Sequence, residues 1–177
     1  MTSIRWPIAV VSLVVSLFLL FGGYFAYQKF QIESPMEKAI SQTSHIRDYS
    51  LQIQPEKITV RLMAKPSFSL QQDYIPLRRK LTDLADDRKL SLKLEDKAGG
   101  ELKEAWNRMN FGVKEGIALQ RYTQIPQAVS KEADTKGIRS HVMMDDRYLY
   151  IELRQGNQWL YRVLPLHKPA SEVKDNG

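Results

Sequence analysis

The chain has 177 residues, with 26 Lys or Arg against 20 Asp or Glu, a formal net charge of +6 and no cysteine. A disulfide framework, a thiolate zinc site and a thiol nucleophile are thereby excluded. A hydrophobic share of 43% beside 26% charged residues excludes a disordered chain, and the modest basic excess suits an anionic partner without exceeding what solubility asks of a small domain.

Pro7 to Tyr27, PIAVVSLVVSLFLLFGGYFAY, carries no charge. At ~1.5 Å rise per residue a helix of that length crosses the ~30 Å hydrocarbon core of a bilayer. A cleaved signal peptide would need a shorter apolar core and a small-x-small site, whereas Tyr24 precedes Ala26 by two and Phe21 precedes Gly23 by two. The segment is therefore predicted to be a lasting anchor, with Trp6, Tyr24 and Tyr27 at the headgroup levels. Arg5 and the amino terminus on one side balance Lys29 and Lys38 on the other, so charge does not set the orientation. A short head before a long domain favours a signal anchor, with the N-terminus cytoplasmic and the C-terminal domain extracytoplasmic. Ala9, Ser12, Ser16 and Gly23 share one helical face, where small residues would let the anchor of a second copy approach.

Beyond the anchor, Ser34-Pro35-Met36-Glu37 has the form of a capping box opening a short helix to about Ser44, expected to space the domain from the lipid. Tyr49, Leu51 and Ile53, then Ile58, Val60 and Leu62, alternate on either side of Pro55-Glu56 and predict a β-hairpin. Ser67 or Ser69 opens a helix with a buried stripe of Leu70, Tyr74, Leu77, Leu81 and Leu84, in which Pro76 marks either a kink or the true first turn. Leu90, Leu92 and Leu94 alternate as a third strand. After Gly99-Gly100 a helix buries Leu102, Ala105, Trp106, Met109, Val113, Gly116 and Ile117, and a second runs from Pro126 to Lys136, stopped by Gly137. Ile138 to Met144, Arg147 to Leu153 and Trp159 to Leu164 form a meander with turns at Asp145-Asp146 and Gln155-Gly156-Asn157.

The order ββ-α-β-αα-βββ, with hairpins at both ends, predicts an α+β domain: a mostly antiparallel sheet with helices on one face. The segments expected are a tail (1–6), the anchor (7–27), a stalk (28–45), the domain (46–166) and a flexible tail (167–177). At the level of fold alone, this architecture resembles the small helix-on-sheet modules that many bacterial envelope proteins carry outside a single anchor, ring-forming modules included.

No nucleotide-binding loop, nucleophile elbow, zinc-protease or calcium-loop pattern occurs. His45, His141 and His167 are too dispersed for a metal site, Asp83, Asp86 and Asp87 lie on a solvated helix end, and Arg78-Arg79-Lys80 lacks any nucleic-acid recognition signature. No catalytic residue, metal or cofactor is expected. If the apolar strand positions face the helices, alternation sends Lys57, Thr59, Arg61, Ser91 and Lys93 to the other side. The same argument exposes Arg139, His141, Tyr148, Tyr150 and Glu152 in the meander. The candidate binding face is thus Lys57, Arg61, Lys93, Arg139, His141, Tyr148 and Tyr150. Cations beside tyrosines suit an anionic polymer or the acidic patch of a protein of the cell envelope. The alternative is an anchored envelope hydrolase using dispersed carboxylates such as Glu101, Glu104 and Asp145, which would require two of them across a cleft.

Overall fold

The structure is a computed structural model and describes residues 6–167. Trp6–Tyr27 forms helix α1, the single helix among the described residues long and apolar enough to cross a membrane, and its large side chains from Val10 to Phe21 are exposed. The chain does not leave helical conformation at Tyr27. Gln28–Glu33 winds as a π turn and Ser34–Ser41 continues as α2, so the chain is helical without a break from Trp6 to Ser41.

A fresh start at a Ser34 cap is thus corrected: Ser34 has φ −60° and ψ −42°, inside the helix, and no side chain caps α2. Pro35 supplies the reason. Its ring would clash with the carbonyl four residues back, and widening the preceding turn to i→i+5 bonding makes room without unwinding the chain. The same device precedes Pro76. Leu70–Tyr74 is a π turn, capped by Ser69, and it leads into α3 (Ile75–Ala85) with the proline in its first turn. Gln71 N–H donates to Ser69 Oγ at 3.2 Å and Ser69 N–H donates to Asp73 Oδ2 at 2.8 Å, a reciprocal cap.

Strands β1 (Ile46–Ile53) and β2 (Lys57–Ala64) form the hairpin read from the alternation, and β3 (Lys89–Glu95) joins β2 in parallel. Helices α4 (Gly100–Ala118) and α5 (Ile125–Thr135) follow, with a 3-10 turn at Tyr122–Gln124 between them. Strands β4 (Arg139–Met144), β5 (Tyr148–Gln155) and β6 (Gln158–Pro165) make an antiparallel meander. The fold is α+β, but the single, mostly antiparallel sheet gives way to two sheets of three strands each. The α3 crossover returns the chain in the direction of β2, which makes that pair parallel. The α4–α5 hairpin then carries the chain away before the meander begins. Among the described residues one antiparallel bridge, Lys97 to Trp159, links the two sheets.

Three packed regions result. Ile58, Val60 and Leu62 of β2 meet Leu77 and Leu81 of α3, and the same cluster takes in Ile32, Met36, Ala39 and Ile40. The stretch expected to be a spacer is therefore part of the packing, with Met36 and Ile40 fully buried. On the other side α4 and α5 cover Leu149, Ile151, Leu153 and Leu160. These helices lie so close that a Cβ on Gly116 would come within 2.5 Å of Ile125 Cγ1. Between the sheets, Phe68, Leu70 and Tyr74 pack on Tyr150, Trp159 and Tyr161.

Candidate functional site

With Ile58, Val60 and Leu62 buried against α2 and α3, the opposite face of the first sheet is polar. Parallel register sets Lys57 beside Lys89 and Arg61 beside Lys93, and all four side chains are exposed. None of the four joins an ion pair among the described residues. Like charges side by side across strands cost a few tenths of a kcal/mol to about 1 kcal/mol per pair. The face thus holds two cation pairs at some expense in stability. Lys89 belongs with Lys57, Arg61 and Lys93, and the sequence pattern misses it because the leucine alternation sets the start of the strand at Leu90, one residue after the observed start of β3.

The meander does not extend this face. Arg139 and His141 are exposed on β4, but Tyr150 is only 1% exposed and Glu152 8%, and Tyr148 is half-buried. Expected exposure of Tyr150 and Glu152 is corrected, because the face of β5 that carries them is covered by the Phe68–Tyr74 segment. Glu152 Oε2 accepts the Leu70 N–H at 3.0 Å, and its other oxygen accepts Arg154 Nε. Arg154 in turn donates to the carbonyls of Pro66 and Phe68, and the Tyr161 hydroxyl donates to Phe68 O at 3.1 Å. These bonds fasten the second sheet to the segment that links β2 to α3, across a mostly apolar seam.

At one end of the seam a cleft of about 430 Å³ opens between α3, the start of β3 and the β4–β5 turn. Arg78, Arg79, Arg88 and Arg147 line it together with Asp83, Asp145 and Asp146. The Arg78 guanidinium lies over the Tyr148 ring, 3.8 Å from its centroid, and donates to the Tyr74 hydroxyl at 3.1 Å. Asp145 is occupied within the protein: Oδ2 accepts the Tyr150 hydroxyl at 2.6 Å, and Oδ1 accepts the N–H groups of Arg147 and Tyr148 at 2.9 and 2.7 Å. Burial works to raise the Asp145 pKa, but these hydrogen bonds and the Arg78 charge outweigh it and hold the carboxyl below its usual value. Burial, then the bond to Asp145, pushes the Tyr150 phenol well above its ordinary range. Burial likewise raises Tyr74, against the opposing charge of Arg78. Arg88 Nη1 is buried and has no hydrogen-bond partner among the described residues.

The cleft was not foreseen as a site. Arg78-Arg79-Lys80 and Asp145-Asp146 stood out singly, but they are far apart in sequence, and the one hint of their meeting is the Tyr148/Tyr150 alternation after the acidic turn. Of the dispersed carboxylates, Asp145 lies in the cleft, while Glu101 and Glu104 are exposed on α4, where Glu104 pairs with Arg108 at 2.7 Å. His45 bonds to Asp73 at 3.0 Å, whereas His141 and His167 are exposed on other elements. On α1, Ser12, Ser16 and Gly23 lie on an open helix surface, and the Ala9 side chain falls outside what is described. Compared with known proteins, the chain matches no family model, no curated protein and no solved structure.

Proposed function

We propose that the chain is a single-pass membrane protein whose α+β domain lies outside the cytoplasm and binds, without catalysis, a protein or anionic polymer of the cell envelope. The membrane-length helix α1 supports the anchoring, and the uncovered face of the first sheet supports the binding. The observation that carries the reading is the pairing of Lys57 with Lys89 and of Arg61 with Lys93 on one exposed face, with no ion-pair partner among the described residues. An acidic partner would neutralise these cations and recover the repulsion between them. Charge reversal at Lys57, Arg61 and Lys93 tests it. Exposed substitutions usually change stability by less than ~0.5 kcal/mol each, so the triple glutamate variant is expected to fold yet lose retention on anionic envelope material. Retention that is unchanged and insensitive to salt would refute the reading.

A further inference from the structure

The cleft between α3 and the β4–β5 turn is distinct from the sheet face, and its chemistry is more selective. Its guanidinium groups come from separate elements, Arg78 and Arg79 from α3, Arg88 from the loop before β3 and Arg147 from the turn. Guanidinium forks approaching from several directions suit a tetrahedral oxyanion better than a planar carboxylate, which one or two forks satisfy. Asp145 already accepts the Tyr150 hydroxyl and two backbone N–H groups and forms no ion pair with these guanidinium groups among the described residues, although its charge lies near Arg78. Arg88, which lines the cleft, also has a buried Nη1 with no hydrogen-bond partner among the described residues, so the protein leaves its guanidinium incompletely satisfied. The volume of about 430 Å³ falls within the range of about 300–1,000 Å³ usual for small-molecule clefts, so the site has room for more than a bare phosphate.

The position of the cleft along the molecule points the same way. After α2 a tight turn, Ile46 N–H to Thr43 O at 3.2 Å, sends β1 back along the helix, and Lys29 lies within electrostatic reach of Tyr49. From Tyr27 to Ser41 the helix rises about 21 Å at ~1.5 Å per residue. Eight residues of β1 run back over about 26 Å at ~3.3 Å each. The β1–β2 turn and the start of β3, where Lys89 N–H donates to Glu56 O at 2.9 Å, therefore return to the level of Tyr27. Arg88 is next to Lys89, so the end of the cleft it lines lies near the headgroup level of a bilayer spanned by α1.

We propose that this cleft binds a phosphate ester, held by Arg78, Arg79, Arg88 and Arg147. The shared chemistry has two sources, a phospholipid headgroup and a soluble ester. The test uses full-length protein in maltoside micelles, titrated calorimetrically with glycerol 3-phosphate at constant ionic strength. Saturable binding is expected, weakened at least tenfold in R79Q/R147Q and tightened in D146N, which removes a competing carboxylate. Arg79 and Arg147 are exposed, so the double variant is expected to keep the thermal midpoint of the parent. Absence of saturable binding, or equal affinity in the double variant, overturns the proposal. Repeating the titration in phosphatidylglycerol nanodiscs separates the sources: the ester is displaced if headgroups occupy the cleft, and binds as before if the ligand is soluble. Because K57E/R61E/K93E leaves the cleft intact, it is expected to bind the ester like the parent, so this site and the sheet face fail independently.

Discussion

Helix α2 is where the long apolar helix and the folded domain become one body, and replacing Ile40 with alanine measures that joint. Ile40 is fully buried among residues of β2 and α3, so the substitution removes packed methylene groups and leaves a cavity. Large-to-small changes at such sites cost about 2–5 kcal/mol, against a total stability of about 5–15 kcal/mol for a domain. Deleting the whole segment is more severe, because Ile32 and Met36 are lost too, each worth about 1.5–3 kcal/mol of burial. The three together approach the stability of the domain. The assay is urea unfolding of a soluble form beginning at Gln28, followed by tryptophan fluorescence, with exposed Lys38→Ala as the control. I40A is expected to lower the midpoint sharply while K38A barely moves it, and a form beginning at His45 is expected to lose cooperative unfolding. If the His45 form unfolds cooperatively at the same midpoint as the Gln28 form, α2 is a spacer after all and the argument from burial is wrong.

Other perturbations act elsewhere in the fold. Arg154→Ala leaves Glu152 buried without its cation, and is expected to cost about 3–5 kcal/mol in equilibrium unfolding. The double variant R154A/E152Q should recover part of that loss. Tyr150 has a pKa raised in the folded state above the ordinary 10.0, so unfolded chains ionise first. Its contribution is complete below about pH 10 and falls as pH rises beyond it, and alkaline denaturation of Y150F is expected to lack that part of the decline. Gly116→Ala drives a methyl group into Ile125 and is expected to cost about 1–3 kcal/mol by thermal melting, whereas alanine at exposed Gly100 meets nothing within 4 Å.

Local periodicity was enough to read the elements whose order depends on nearest neighbours. The Tyr49–Leu62 alternation around Pro55-Glu56, the leucine stripe of α3 and the two turns of the meander are all legible because strand and helix periods act within a few residues. Partner choice is not local. Nothing in Leu90–Leu94 says that β3 lies parallel to β2, so that Lys57 sits beside Lys89, or that a second sheet forms apart from the first. Alternation likewise separates Tyr148, Tyr150 and Glu152 from Leu149, Ile151 and Leu153 without saying what covers either set. Here helices cover one and the Phe68–Tyr74 segment the other. The Ser34-Pro35-Met36-Glu37 pattern misled for a related reason: the packing of Ile32, Met36 and Ile40 holds the chain helical through a π turn, and the cap has no end to cap.

The proposed function places the domain outside the cytoplasm, which decides which partners its basic face can meet, and a single thiol tests that placement. The chain has no cysteine, so one introduced at exposed Asn157, in the β5–β6 turn, is the sole target for a membrane-impermeant maleimide applied to intact cells. Labelling before lysis, at the same extent as after it, is the expected result. Labelling that occurs only once the cells are broken would place the domain in the cytoplasm and contradict binding to an envelope partner.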